Sequence, residues 1–339
     1  MLGIMKENIL SDPYDFFERV EETIKELVIK KERNSQKPVN HHYVPRSFQE
    51  RFGGPNSSLF AYIFKSKKIH ANAQPSRIGS VPHLYTLPND DGSSDVKVEH
   101  FFGVLEDRSA PIIEKVIKQD RLTEEERFWL CFFWGASFCR SHHMIRSARH
   151  LIGDLQSYSL RQRYFSLEKT RHLLGLEPPE DPSITAEEVF KLVHSNEYEV
   201  AGDANSVLPM VLNLIPEISQ FLWLSCVVVL KAPKTKSFVT GDSPVVLLPM
   251  DQWRPVGFGL PGVARVMPLS WDTCLISYSP GRGVINAIAD REQVRQINLA
   301  IAGDAHEFIL GKSQKLLESI VDATGAKNRV WKSSFSVSR

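Results

Sequence analysis

A chain of 339 residues with 42% hydrophobic and 24% charged side chains carries enough apolar material for one large or two small domains, which excludes a disordered, collagen-like or coiled-coil protein. Lysine and arginine number 41 against 40 acidic residues, so the chain as a whole lacks the charge of a protein that wraps DNA or coats an anionic membrane. Cys131, Cys139, Cys226 and Cys274 form no CxxC pair, which argues against a zinc ribbon or a disulfide framework.

The opening MLGIMKENIL is too short and too soon acidic for a signal peptide, and the longest apolar run, residues 128–139, is well under the ~20 residues that span a bilayer. A soluble, cytoplasmic protein without a membrane partner is expected. Asp12-Pro13 opens an amphipathic helix through Phe16, Phe17, Val20, Ile24, Leu27 and Val28, and the polar stretch 34–40 follows it. Residues 1–40 therefore read as a helical arm and linker, able to join a second copy. Residues 41–330 read as a single α+β domain and 331–339 as a tail.

His41-His42-Tyr43-Val44-Pro45 leads into a short helix, RSFQERF, closed by Gly53-Gly54. Apolar runs on either side of Lys65-Ser66-Lys67 predict a β-hairpin, a short strand follows near 84–87, and NDDGSS is a turn. Helical periodicity covers 96–119, and Thr123 with Glu126 forms a capping box opening a long helix to about residue 155, its first half apolar all round. Thr185 opens another helix, and Pro209 and Pro216 divide the stretch 206–224. Five short β-rich runs between 226 and 277 predict one small mixed or antiparallel sheet, and helices are expected over 290–302 and 306–323. Helices first, strands clustered later and helices last give an α+β, mainly helical fold.

Imidazoles suit a divalent metal or acid–base work because their pKa lies near neutrality. In an extended segment His41 and His42 point to opposite sides, and the alternative is a helix-entry loop in which one caps the backbone. Glu99 and Glu106 share a helix face, with Glu106 at the edge of its apolar stripe, where a carboxylate needs a cation or reaches water. Asp242, in FVTGDSPVV, either projects from a strand end or is an ordinary turn residue. Residues 140–172 hold seven basic and two acidic side chains, a net of +5. Arg146 and Arg149 lie on one helix side there, either as a grip for nucleic acid or phosphate or as a solvated face. The signatures GxSxG, GxGxxG, HExxH and the P-loop are missing.

HHYVP before a short helix, a late glutamate in LEDRSAPII, a long helix ending at Arg140, FVTGDSPVV, Pro268-Leu269 and Asn298 together resemble the bacterial domain-of-unknown-function family 4238, over about 41–310. The chain departs from that pattern in GASFCR, which has no glutamine one turn before the arginine. The resemblance implies no reaction, but it marks His41, His42, Glu106, Arg140, Asp242 and Asn298 as recurring polar positions of one shared site. The resulting expectation is a metal-dependent hydrolase, phosphodiesterase-like or nuclease-like. His42, Glu106 and Asp242 would hold Mn, Mg or Zn, with His41 beside them. Arg140, Arg146, Arg149 and Asn298 would bind the substrate. A non-enzymatic module gripping nucleic acid or an acidic partner through 140–172 is the alternative.

Overall fold

The computed structural model describes residues 39–328, apart from 57, 89–93, 180, 182, 196–199, 201–203, 251–255 and 280. The expected arm up to residue 38, most of the NDDGSS turn and the C-terminal tail lie outside the described residues.

The chain enters through strand β1 (Asn40–His42) and the short helix α1 (Arg46–Glu50), with Pro45 at its N-cap. Hairpin strands β2 (Phe60–Ile63) and β3 (Lys68–His70) turn on Lys67, whose φ of 55° is the left-handed conformation of a tight turn. Strand β4 (Ser80–Pro82) pairs antiparallel with β1, and β5 (Leu87–Pro88) with β6 (Ser94–Asp95). The buried Gln49 amide donates to the carbonyls of Val44 and Ile78, each at 2.9 Å, and so ties α1 to the chain entering β4.

The helical part follows: α2 (Lys97–Ile117), α3 (Glu124–Cys139), α4 (His142–Arg163), α5 (Leu167–Leu176), α6 (Ala186–His194), α7 (Ala204–Leu212) and α8 (Ile215–Trp223). The Thr123–Glu126 capping box is present, and every α3 residue from Arg127 to Cys139 is buried. The long helix expected through 155 is instead two. Arg140 caps the end of α3, and Ser141 leaves helical geometry so that its hydroxyl accepts the Met144 N–H at 3.2 Å and starts α4. Serine competes for a backbone donor in this way and favours a cap over a helix interior. The break also keeps the polar sequence after 140 from continuing along the buried axis of α3.

The strand region holds β7 (Cys226–Lys231), β8 (Thr240–Gly241), β9 (Val246–Pro249), β10 (Val263–Pro268), β11 (Thr273–Tyr278) and β12 (Gly283–Ile288). It is followed by α9 (Arg291–Asp304), β13 (Phe308–Gly311) and α10 (Gln314–Ala323). Two main sheets form where one was expected. One is five-stranded in the order β12-β7-β11-β10-β9, antiparallel except for the parallel β12–β7 pair, and the other is four-stranded and antiparallel, β3-β2-β13-β8. Strand β13 occupies the start of a segment expected as helix. Pairing with β2 and β8 overrides its local preference, and Ser313 then caps α10.

Side-chain alternation divides two cores. Val227, Val229 and Leu275 face the aromatic helical core around Phe128, Phe133 and Trp134, while Leu230, Cys274 and Ile276 face α9 and α10 through Val294, Ile301 and Leu317. The fold is α+β, mainly helical. No helix among the described residues is long and apolar enough to cross a membrane.

Candidate functional site

Pleating turns the two histidines of β1 to opposite sides. His41 is fully buried, stacks on Tyr85 with ring centroids 5.7 Å apart, and accepts the Tyr85 backbone N–H at Nδ1, 2.9 Å away. Accepting at Nδ1 places the proton of the neutral ring on Nε2. His42 is half-buried, and its ring bonds to the backbone of Pro75 and Ser76. Its Nε2 is buried without a hydrogen-bond partner among the described residues. Burial, and then the positive charge of Arg46, hold its pKa below the usual 6.5, so the ring is neutral at pH 7 and able to take a proton.

His42 forms one wall of a cleft of about 350 Å³ together with Arg46, Ser47 and Glu50 of α1. Glu99, Gly103 and Glu106 form the opposite wall. Their spacing puts them on one face of α2. Glu106 accepts the Arg140 Nη1–H at 2.8 Å. Arg140 is 1% exposed, with its guanidinium 4.8 Å from the Phe102 ring centroid and 5.9 Å from that of Phe133. Its Nε and Nη2 have no partner among the described residues, nor has the buried Tyr85 hydroxyl. The Arg140 charge also contributes to lowering the His42 pKa, which places the two groups within electrostatic reach. A buried guanidinium with one nitrogen satisfied is costly unless something else meets the remaining donors.

Asp242 stands apart from this cleft. It is fully buried where β8 meets β13, and its oxygens accept the His306 N–H at 3.0 Å and the Phe308 N–H at 3.4 Å. Burial pushes its pKa up to about 7, against the pull of those N–H donors. Among the described residues no group of three or more His, Cys, Asp or Glu side chains is arranged to hold a metal, so His42, Glu106 and Asp242 do not come together as one ligand set. Asn298 is likewise turned to the backbone. Its Oδ1 accepts the Val239 N–H at 3.0 Å and its Nδ2 donates to the Ser237 carbonyl at 2.8 Å.

The family model described as a protein of unknown function, DUF4238, matches residues 40–315. The chain belongs to the DUF4238 family. No curated protein and no solved structure matches it. In this DUF4238 chain the matched span runs from β1 to the start of α10 and contains the whole cleft.

The structure also redistributes the basic run of the DUF4238 chain. Arg140 lies in the interior. Arg161 donates to the Val193 carbonyl at 3.3 Å, Arg163 pairs with Glu177 and Arg171 pairs with Glu187. Arg146 and Arg149 remain partly exposed on α4, with Arg146 Nε 3.5 Å from His150 Nε2. Arg46, Ser47, Glu50 and Tyr85 are not among the site residues expected from the sequence. The spacing of Arg46 and Glu50, four apart on one short helix directly after the histidines, was the available signal for two of them.

Proposed function

We propose that this DUF4238 protein is a hydrolase of a phosphate-bearing substrate, a phosphodiester being the simplest case, with the reacting group in the cleft between α1 and α2. The observation that carries the reading is the joint placement of a neutral His42 and a buried Arg140 which, among the described residues, have Nε2 and two guanidinium nitrogens respectively without a partner. His42 would take a proton from the attacking water. Arg46 would meet the anion, and Arg140, held by Glu106 behind the cleft wall, would add its positive potential there. A divalent ion (Mn, Mg or Zn) would be held by one or two of the cleft carboxylates Glu50, Glu99 and Glu106 together with the substrate phosphate, the arrangement usual for magnesium, and would neutralise charge developing on the phosphate. His41 and Asp242 hold backbone in place in this reading.

The test is hydrolysis of bis(p-nitrophenyl) phosphate and short oligonucleotides with each metal and with chelator. Turnover is expected, reduced by roughly 10²-fold or more in His42→Gln with the melting temperature retained. The acidic limb of the pH profile should fall below the usual histidine value and be lost in that variant. No turnover under any condition, or turnover indifferent to His42, overturns the proposal. Binding of nucleic acid that weakens on charge reversal at Arg146 and Arg149 and steeply with salt, without turnover, would favour a binding module instead.

A further inference from the structure

A second concavity, of about 310 Å³, lies among α9, the first two turns of α10 and the loop at 235–237, and it shares no lining residue with the His42 cleft. Five cations border it, Lys236, Arg291, Arg295, Lys312 and Lys315, and among the described residues no aspartate or glutamate does. Among the described residues none of the five is in an ion pair. Positive charges gathered from three separate segments repel one another, and a bound anion is what relieves them. Lys312 is further fixed by its Nζ lying 4.3 Å from the Trp271 ring centroid.

The walls are shaped for more than a single small ion. Ser313 caps α10 from inside the lining, so the positive end of that helix opens on the cavity. Val294, Leu316 and Ile320 give the floor an apolar part. Asn298 clamps the carbonyl of Ser237 and the N–H of Val239, which holds the loop carrying Lys236 against α9. That gives the buried asparagine a task at this cavity and not at the histidines.

We propose that this cavity binds the polyphosphate of a small phosphate ester, the nucleoside di- and triphosphates being the class that joins a multivalent anion to a carbon skeleton. The concavity accommodates a compact group better than a passing strand of nucleic acid. The inference stands apart from the hydrolase reading, since it is read by binding and not by turnover.

The experiment is calorimetric titration of the full chain with pyrophosphate, with ADP and with a single-stranded oligonucleotide. Pyrophosphate and ADP should bind and compete with each other. Loss of one charge-assisted contact, as in Lys315→Gln, should weaken them at least roughly tenfold, and Lys236→Glu with Arg295→Glu should abolish saturable binding. These side chains are exposed, and circular dichroism confirms that the variants fold, with Arg291→Gln as a second, milder probe. His42→Ala should leave the affinity unchanged. Absence of binding at millimolar pyrophosphate and ADP, affinity indifferent to the charge reversals, or oligonucleotide binding that pyrophosphate fails to displace would each overturn the proposal.

Discussion

Two ionisable side chains, the half-buried His42 and the fully buried Asp242, pull the stability of this protein in opposite directions as pH changes. The pKa of His42 is depressed, so the unfolded chain binds more protons than the folded one below the usual 6.5, and its burial weakens the fold as pH falls through that region. Asp242 has the reverse sign. With a folded value of about 7 against an ordinary 3.8, the folded chain holds the extra proton, and stability is lost as pH rises between those two values. Urea unfolding at about pH 5 and about pH 7 should therefore show the wild type losing stability toward neutrality relative to Asp242→Asn, in which only the opposing His42 effect remains. Asp242→Ala should in addition cost about 1–3 kcal/mol, because the N–H groups of His306 and Phe308 lose their acceptor. An unchanged slope in Asp242→Asn would mean that the aspartate is charged in the folded protein throughout this range.

The helices show what local pattern conveys and where it stops. The capping box expected at Thr123 is formed, and the helices expected from Thr185 and Asp290 also open on capping boxes, because a cap needs only residues three apart. The break at Ser141 and the strand 308–311 were not legible. The first depends on how deeply α3 is enclosed and the second on pairing partners more than sixty residues away in sequence. Close approach of α3 and α8 is another such property. A Cβ on Gly135 would lie 2.5 Å from the Ser219 hydroxyl, inside any tolerable contact, so Gly135→Ala should destabilise by about 1–3 kcal/mol through overpacking. Because the clash is with one oxygen, Ser219→Ala added to Gly135→Ala should recover part of that loss, measured as a non-additive double-mutant cycle. Strict additivity of the two costs would contradict the contact.

Across the whole molecule, the candidate site was legible in proportion to how local it is. His42, Glu106 and Arg140 were marked as one polar set by the family resemblance, which marked Asp242 and Asn298 with them, whereas in the structure those two bond to backbone groups. Buried polar residues look alike in sequence whether they face a ligand or the backbone. The structure also distributes its buried contacts unevenly: thirteen consecutive residues of α3 are buried, whereas α5 buries Thr170 and α6 buries Val193. What fastens that outer pair includes the exposed salt bridges Arg163–Glu177 and Arg171–Glu187, each worth little and screened by salt. Hydrogen exchange should read this as two clocks. Amides of α5 and α6 would open by sub-global fluctuation, faster still at high ionic strength, while those of α3 would exchange only with complete unfolding. The protein would then possess a rigid block and a detachable outer layer that can be loosened without disturbing the histidine cleft.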